Sequence, residues 1–368
     1  MISPRKIVAS SALLLIIFSS FGSNIDSVIH GKLLGVNFYH GTLMYHHKVM
    51  EILREKPVNA IELSWILVGN GKKLWHKVYR RPEYGFSYIL MDLGSPNYLG
   101  YAHGILPFVN FPVSSFDKRF SAGFRIGSGL SYVTKIYDRT ENYKNSAIST
   151  HLNAIVAFNL EGRYSITENL STRLGLALTH ISNGTFRKPN SGLNNVLFSA
   201  GIAYCIANLK VDNGSEITFT DNKNRLLVIG SGSYKETKGA GGPRYAVGAL
   251  SVEYTHSSKT LLRYGFSLDL MYDQTAGFIM DYEEIPYSSD WQMLKSGVTL
   301  NSEIMLDRLS AVFYFGKYIY NHSKEGGPVY QRIGLRYRIM EKCWLHFALK
   351  THWGSADYIE FGVGYKIL

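Results

Sequence analysis

The sequence predicts an all-β chain, an antiparallel barrel that crosses a membrane with strands. Three observations point there: an export address at the N-terminus, no later apolar run long enough for a helical span, and period-two alternation in segment after segment. Composition agrees. The 368 residues include 26 Tyr, 19 Phe and 35 Gly, and charged residues make up 18%, below the roughly 25% usual for soluble chains. Such a chain is neither disordered nor a coiled coil. Two cysteines, Cys205 and Cys343, exclude a disulfide-stapled scaffold and a cysteine-rich zinc site, and are expected as small packing residues.

The address comes first. Arg5 and Lys6 precede an apolar run from Ile7 to Phe18, and Ser20, Phe21 and Gly22 place small residues at alternate positions for cleavage, so 1–22 is expected to be a signal peptide. The run is too short for the about 20 residues a helical span requires. Loss of Arg5 and Lys6 takes the formal net charge from +11 to +9, which favours an anionic partner. Residues 23–368 are expected to form a single transmembrane barrel of 14–16 strands, from about 33 to 367, in the bacterial outer membrane. The first two strands are the least defined, because 47–55 has the makings of a short helix.

Alternation identifies the strands. Leu170, Leu174, Leu176 and Leu178 share one face, opposed by Ser171, Arg173, Gly175, Ala177 and Thr179. Leu262, Tyr264, Phe266, Leu268 and Leu270 oppose Arg263, Gly265, Ser267 and Asp269, and the last segment sets Ile359, Phe361, Val363, Tyr365 and Ile367 against Glu360, Gly362, Gly364 and Lys366. A soluble sandwich alternates too. Three further features favour a membrane barrel: arginines at 332, 336 and 338 around Gly334 suit a polar lumen, the chain closes on a strand, and connections alternate in length. Those at 165–169, 256–259, 306–308 and 340–342 are short. Those at 136–149, 183–193, 273–291 and 320–327 are longer and belong outside the cell. The basic stretch 69–81, with Lys72, Lys73, Lys77, Arg80 and Arg81, is expected to be a solvated turn.

The segment from Thr179 to Asn194 carries the chemistry. A histidine and a serine two apart on a strand, His180 and Ser182, point the same way about 6 to 7 Å apart at the backbone, within reach of an imidazole–hydroxyl hydrogen bond. Asn183-Gly184 and Pro189 to Gly192 are turn formers, so the chain loops and returns as 194–205. On the return, Asn194, Val196, Phe198, Ala200, Ile202 and Tyr204 take the apolar face, and Asn195 does not. His180 and Ser182 extend the leucine face of their own strand. All three groups are therefore expected on the outer wall of the barrel near its outer rim, where unused polarity is costly. The bland alternative is a set of rim residues at a polar interface, with Asn183-Gly184-Thr185 merely a turn.

His180-x-Ser182-Asn183 followed by Pro189-Asn190-x-Gly192 resembles the lipid A 3-O-deacylase (PagL) family, also called acyloxyacyl hydrolases. The stretches Thr134 to Asp138 through Asn145, and His151-Leu152-Asn153-Ala154, resemble its longer members, and the likeness covers about 80–205. The resemblance implies an outer-membrane serine hydrolase that removes an ester-linked acyl chain from lipid A of lipopolysaccharide. It makes Ser182 the nucleophile and His180 the general base, and it places the third member on Asn194, where the smaller members have glutamate. An asparagine orients a histidine tautomer but brings no full charge to the imidazolium. Asn183, Gly184 and Asn190 are the oxyanion candidates. Arg187 and Lys188 either meet lipid A phosphates or are ordinary loop charges. A second resemblance, to outer-membrane phospholipase A, rests on His-x-Ser-Asn-Gly and on asparagine as third member; a porin-like barrel with a vestigial triad is the non-enzymatic alternative.

Other chemistries lack their anchors. No Gly-x-Ser-x-Gly, His-Glu-x-x-His, Cys-x-x-Cys or Gly-x-x-x-x-Gly-Lys occurs, so no cofactor or metal is expected, nor an acidic cluster for calcium. The aromatics follow strand alternation, which fits lipid-facing belts and argues against nucleic-acid binding.

Overall fold

The computed structural model describes residues 31–114, 119–208, 223–237, 239–257 and 261–368; the expected signal peptide lies outside them. Sixteen strands form among these residues. The first eight are β1 (Gly31–Met44), β2 (Val58–Val68), β3 (Glu83–Met91), β4 (Ala102–Pro112), β5 (Phe120–Val133), β6 (Leu152–Ser165), β7 (Leu170–Ser182) and β8 (Leu193–Asn208). The second eight are β9 (Asn224–Glu236), β10 (Arg244–Ser257), β11 (Leu262–Asp273), β12 (Leu294–Leu306), β13 (Leu309–Asn321), β14 (Val329–Met340), β15 (Cys343–His352) and β16 (Ser355–Lys366). A 3₁₀ turn at Lys48–Leu53 occupies the stretch where a short helix was expected.

The count falls within the expected range, but the closure differs. The strands close as two antiparallel eight-stranded barrels, not one. In the first, β8 returns to β1 from Gly31↔Asn208 to Met44↔Asn194; in the second, β16 pairs with β9 from Phe361↔Gly232 to Lys366↔Leu227. Alternation cannot distinguish these closures, since the in-and-out pattern along a strand is the same in both. The lumen can. An eight-stranded barrel has room only for side chains, and both lumens are filled with ion pairs.

In the first barrel Arg125 reaches Glu62 at 2.7 Å, Arg163 reaches Glu83 at 3.0 Å, and Arg173 reaches Glu83 and Glu161 at 2.8 and 2.9 Å. A cavity of about 20 Å³ beside Tyr39, Glu62 and Arg125 has room for about one water. In the second, Arg336 pairs with Glu253 at 2.6 Å and Glu303 at 3.3 Å. Nearer the far end, Lys235 and Lys350 each reach Asp357 at 2.7 Å and Lys295 reaches Asp273 at 2.9 Å. Burying such charges is costly unless each finds its opposite, and these do. Outside, Phe38, Leu174, Leu176, Phe198, Leu268, Leu300 and Phe361 are exposed, which in water would be an aggregation surface and in a bilayer is a match to acyl chains.

Both barrels have their termini at one end, where most turns are short and 69–82 is the long exception, and most of their longer loops at the other, as in an outer-membrane barrel whose termini face the periplasm. They touch at both ends. At the terminal end the basic stretch 69–81 is not simply a solvated turn: its helix Leu74–Val78 buries Trp75 against Leu261 and Met305 of the second barrel, and Lys73 Nζ lies 2.7 Å from Asp307. At the loop end, Lys188 N donates to Glu236 Oε2 at 2.9 Å, Glu236 N donates to Thr185 O at 3.1 Å, and Thr185 Oγ1 donates to the carbonyl of Asp357.

Candidate active site

On β7 the side chains of Leu174, Leu176 and Leu178 face out, and those of Arg173, Ala177, Thr179 and Ile181 are buried in the lumen. His180 is the next residue on the outward face and Ser182 the last. Across the ladder Asn194 opens the outward row of β8 that continues through Phe198, Ile202 and Tyr204, and it is the direct register partner of His180. Asn195 points inward and donates to Thr179 Oγ1 at 3.0 Å. The register thus places an imidazole, a hydroxyl and a carboxamide on the bilayer-facing wall at the loop end.

They touch in sequence. His180 Nδ1 lies 2.7 Å from Asn194 Oδ1, and His180 Nε2 lies 2.9 Å from Ser182 Oγ. An amide oxygen only accepts, so Nδ1 carries the proton; Nε2 of the neutral ring is then the acceptor for the serine hydroxyl. That is the tautomer a general base requires. Asn194 Nδ2 in turn donates to His46 Nδ1, 3.4 Å away in the loop after β1, and this contact keeps the amide oxygen turned toward His180. Partial burial, then His47 and His180, push the His46 pKa below its usual 6.5, against a backbone hydrogen bond at Ser191.

Ser182 is only 5% exposed although it shares the outward register. Asn183 Nδ2 donates to Ser149 Oγ, Thr150 Oγ1 and the Arg187 carbonyl at 3.0 to 3.2 Å, so this side chain is a clamp within the loops. Asn183 N donates to Asn190 Oδ1 at 3.1 Å, while Asn190 Nδ2 is buried with no hydrogen-bond partner among the described residues. An unsatisfied buried donor costs about 1–3 kcal/mol, and here it sits in the loop that follows the serine. Two glycines permit the loop's path. Gly184 (φ +61°) lies so close to the second barrel that a Cβ would meet Ile359 at 2.3 Å, and a Cβ on Gly192 (φ +76°) would meet His180 Cε1 at 2.8 Å.

The two loop cations separate. Arg187 remains on the outer surface, where it adds to the backbone N–H groups of Glu141 and Thr140 in holding Asp138 down to about 2. The charges that act on the Lys188 ammonium, Glu325, Lys235, Glu236 and Asp357, all belong to the second barrel, and burial lowers its pKa. It is directed into that barrel's mouth. His46 and the second-barrel wall were not among the expected site residues; His46 has no spacing relation to the His-x-Ser run that would single it out.

Residues 59–203 match the family model "Lipid A 3-O-deacylase (PagL)", and residues 224–368 match "Acyloxyacyl hydrolase, C-terminal domain". The chain belongs to the PagL family. In this PagL-family chain the two matched regions fall on the two barrels, one region to each. Its home is the bacterial outer membrane. Among solved structures, that of the outer membrane enzyme PagL aligns with a TM-score of 0.33 and 12% identity over 45% of this chain and 97% of that one. Neisserial surface protein A (NspA) aligns with a TM-score of 0.33 and 10% identity over 48% of this chain and 97% of its own. A Rhodopseudomonas blastica porin variant covers 91% of this chain and 100% of its own at 10% identity and a TM-score of 0.18. No curated protein matches the sequence.

Proposed function

We propose that the protein is a serine hydrolase that deacylates lipid A at an ester-linked (3-O) acyl chain. The observation that carries this reading is the hydrogen-bonded run Ser182–His180–Asn194 on the outward wall at the loop end, where an ester of an outer-leaflet lipid is within reach. Membership of a lipid A 3-O-deacylase family supports the substrate class. His180 Nε2 takes the Ser182 proton as Oγ bonds to the ester carbonyl carbon, and the imidazolium then returns that proton to the departing sugar oxygen as the ester C–O bond breaks. Water, activated by the same imidazole, cleaves the acyl-serine and releases the fatty acid. Asn190 Nδ2, the buried donor without a partner, is assigned to the oxyanion, with the backbone at Gly184 as a second donor. Asn183 supports the loop, and Arg187 is the loop cation offered to a lipid phosphate.

Two alternatives stay in view. Asparagine as the third member favours a phospholipase A reading over lipid A. A porin-like barrel is disfavoured because the lumens are filled with paired charges. Purified protein offered lipid A and phospholipid in separate vesicles distinguishes them: release of 3-hydroxy fatty acid from lipid A supports the proposal, release from phospholipid alone supports the second reading, and no release leaves the porin-like one.

A further inference from the structure

We propose that the cleft between the two barrels is the seat of the acyl chain that Ser182 cleaves, so that the second barrel is part of the substrate site; this rests on the hydrolase reading above. A cavity of about 640 Å³ opens there, within the about 300–1,000 Å³ usual for ligand sites. The first barrel contributes Leu152, Ala154 and Phe186, and the second contributes Tyr234, Ile359 and Phe361. It opens beside the nucleophile, at the residue that follows Ser182. Ala154 is the direct cross-strand partner of Ser182, and Asn183 and Gly184, which follow the serine, also line the cavity.

The occupant follows from three observations. The lining surface is mostly apolar and continuous with the outward apolar rows of β6, β9 and β16, so what fills it comes from the bilayer. The floor is kept open by residues with little or no side chain: a Cβ on Gly232 would have only Val247 O nearby, at 3.8 Å. A cation stands at its edge, since Arg244 of the second barrel lies 4.6 Å over the ring of the lining residue Phe186, which suits a lipid with an anionic head. An acyl chain already in a bilayer gains little hydrophobic energy by moving into an apolar cleft. The cleft therefore acts on register, holding the ester at Ser182, and selects chains by length.

The test is chain-length preference in the full protein reconstituted in vesicles, measured on a butyryl and a myristoyl ester of the same glycolipid. Gly232→Trp fills the cleft, and the myristoyl-to-butyryl ratio of kcat/KM is expected to fall about tenfold. Leu268→Trp, which places the same ring on the lipid face of β11 away from the cleft, is expected to leave that ratio at the wild-type value. A Gly232→Trp ratio equal to wild type overturns the proposal while leaving Ser182 as the nucleophile. Wild-type protein that cleaves neither ester overturns the hydrolase reading and this proposal with it.

Discussion

His180 and Asn194 are direct register partners across β7 and β8, and Nδ1 of the one lies 2.7 Å from Oδ1 of the other. The pairing fixes the imidazole tautomer without supplying a negative charge. An Asn194→Glu variant adds that charge where the imidazolium forms. A charge-assisted bond is about twice as strong as a neutral one, so kcat is expected to rise roughly tenfold. Asn194→Ala is expected to lower kcat, and by less than Ser182→Ala does. Single-turnover fatty-acid release from lipid A vesicles reads both; an unchanged rate in both variants removes Asn194 from the site.

His46 acts one step further out. Its Nδ1 accepts from Asn194 Nδ2 only while the ring is neutral, and its pKa lies below 6.5, so the contact persists at neutral pH and is lost as pH falls through that lowered value. His46→Gln keeps an acceptor that does not titrate. The ratio of variant to wild-type kcat/KM should be flat above pH 6.5 and climb in the variant's favour below it. His46→Lys, a permanent donor, should cost about 1 kcal/mol, or roughly fivefold, across the whole range. A ratio for His46→Gln that does not change with pH contradicts the role.

Asn190→Ala removes the buried donor assigned to the oxyanion. Loss of one such donor costs about 10²–10³ in kcat, with KM little changed. Asn183→Ala, by contrast, breaks three loop hydrogen bonds and should raise protease sensitivity of the loop together with loss of rate. Kinetics and limited proteolysis on the two variants separate the roles; loop opening in Asn190→Ala equal to that in Asn183→Ala would assign both to scaffolding.

The lumen makes a prediction about stability. Glu83 sits between Arg163 and Arg173 with no exposure, so Glu83→Ala leaves buried guanidinium charge uncompensated. The cost is about 3–5 kcal/mol, seen as a lower urea midpoint for unfolding from lipid vesicles. A midpoint within error of wild type would mean that water enters the first lumen and solvates those charges.

Much of this was legible in the sequence, and the physics says which parts. Period-two alternation placed Leu174, Leu176 and Leu178 outside and Arg173 inside, and the same count put His180, Ser182 and Asn194 on one wall, where their geometry brings them together. Barrel closure was not legible, because it depends on β8 choosing β1 as its partner and periodicity is blind to partners. Nor was the fate of Lys188: a loop cation beside Arg187 looks equally solvated until the second barrel presents Glu236, Glu325 and Asp357 to it. His46 lies 148 residues from Asn194 in the chain, so only the fold brings the two together.

The central claim is that the Ser182 hydroxyl attacks a lipid A ester from the outer wall of the first barrel. Mass spectrometry of lipid A from cells expressing wild-type protein or Ser182→Ala, with equal amounts of folded barrel in the outer membrane, tests it most directly. Lipid A lacking one ester-linked hydroxyacyl chain in the wild type and intact in the variant is the predicted result. The same lipid A in both would contradict the account.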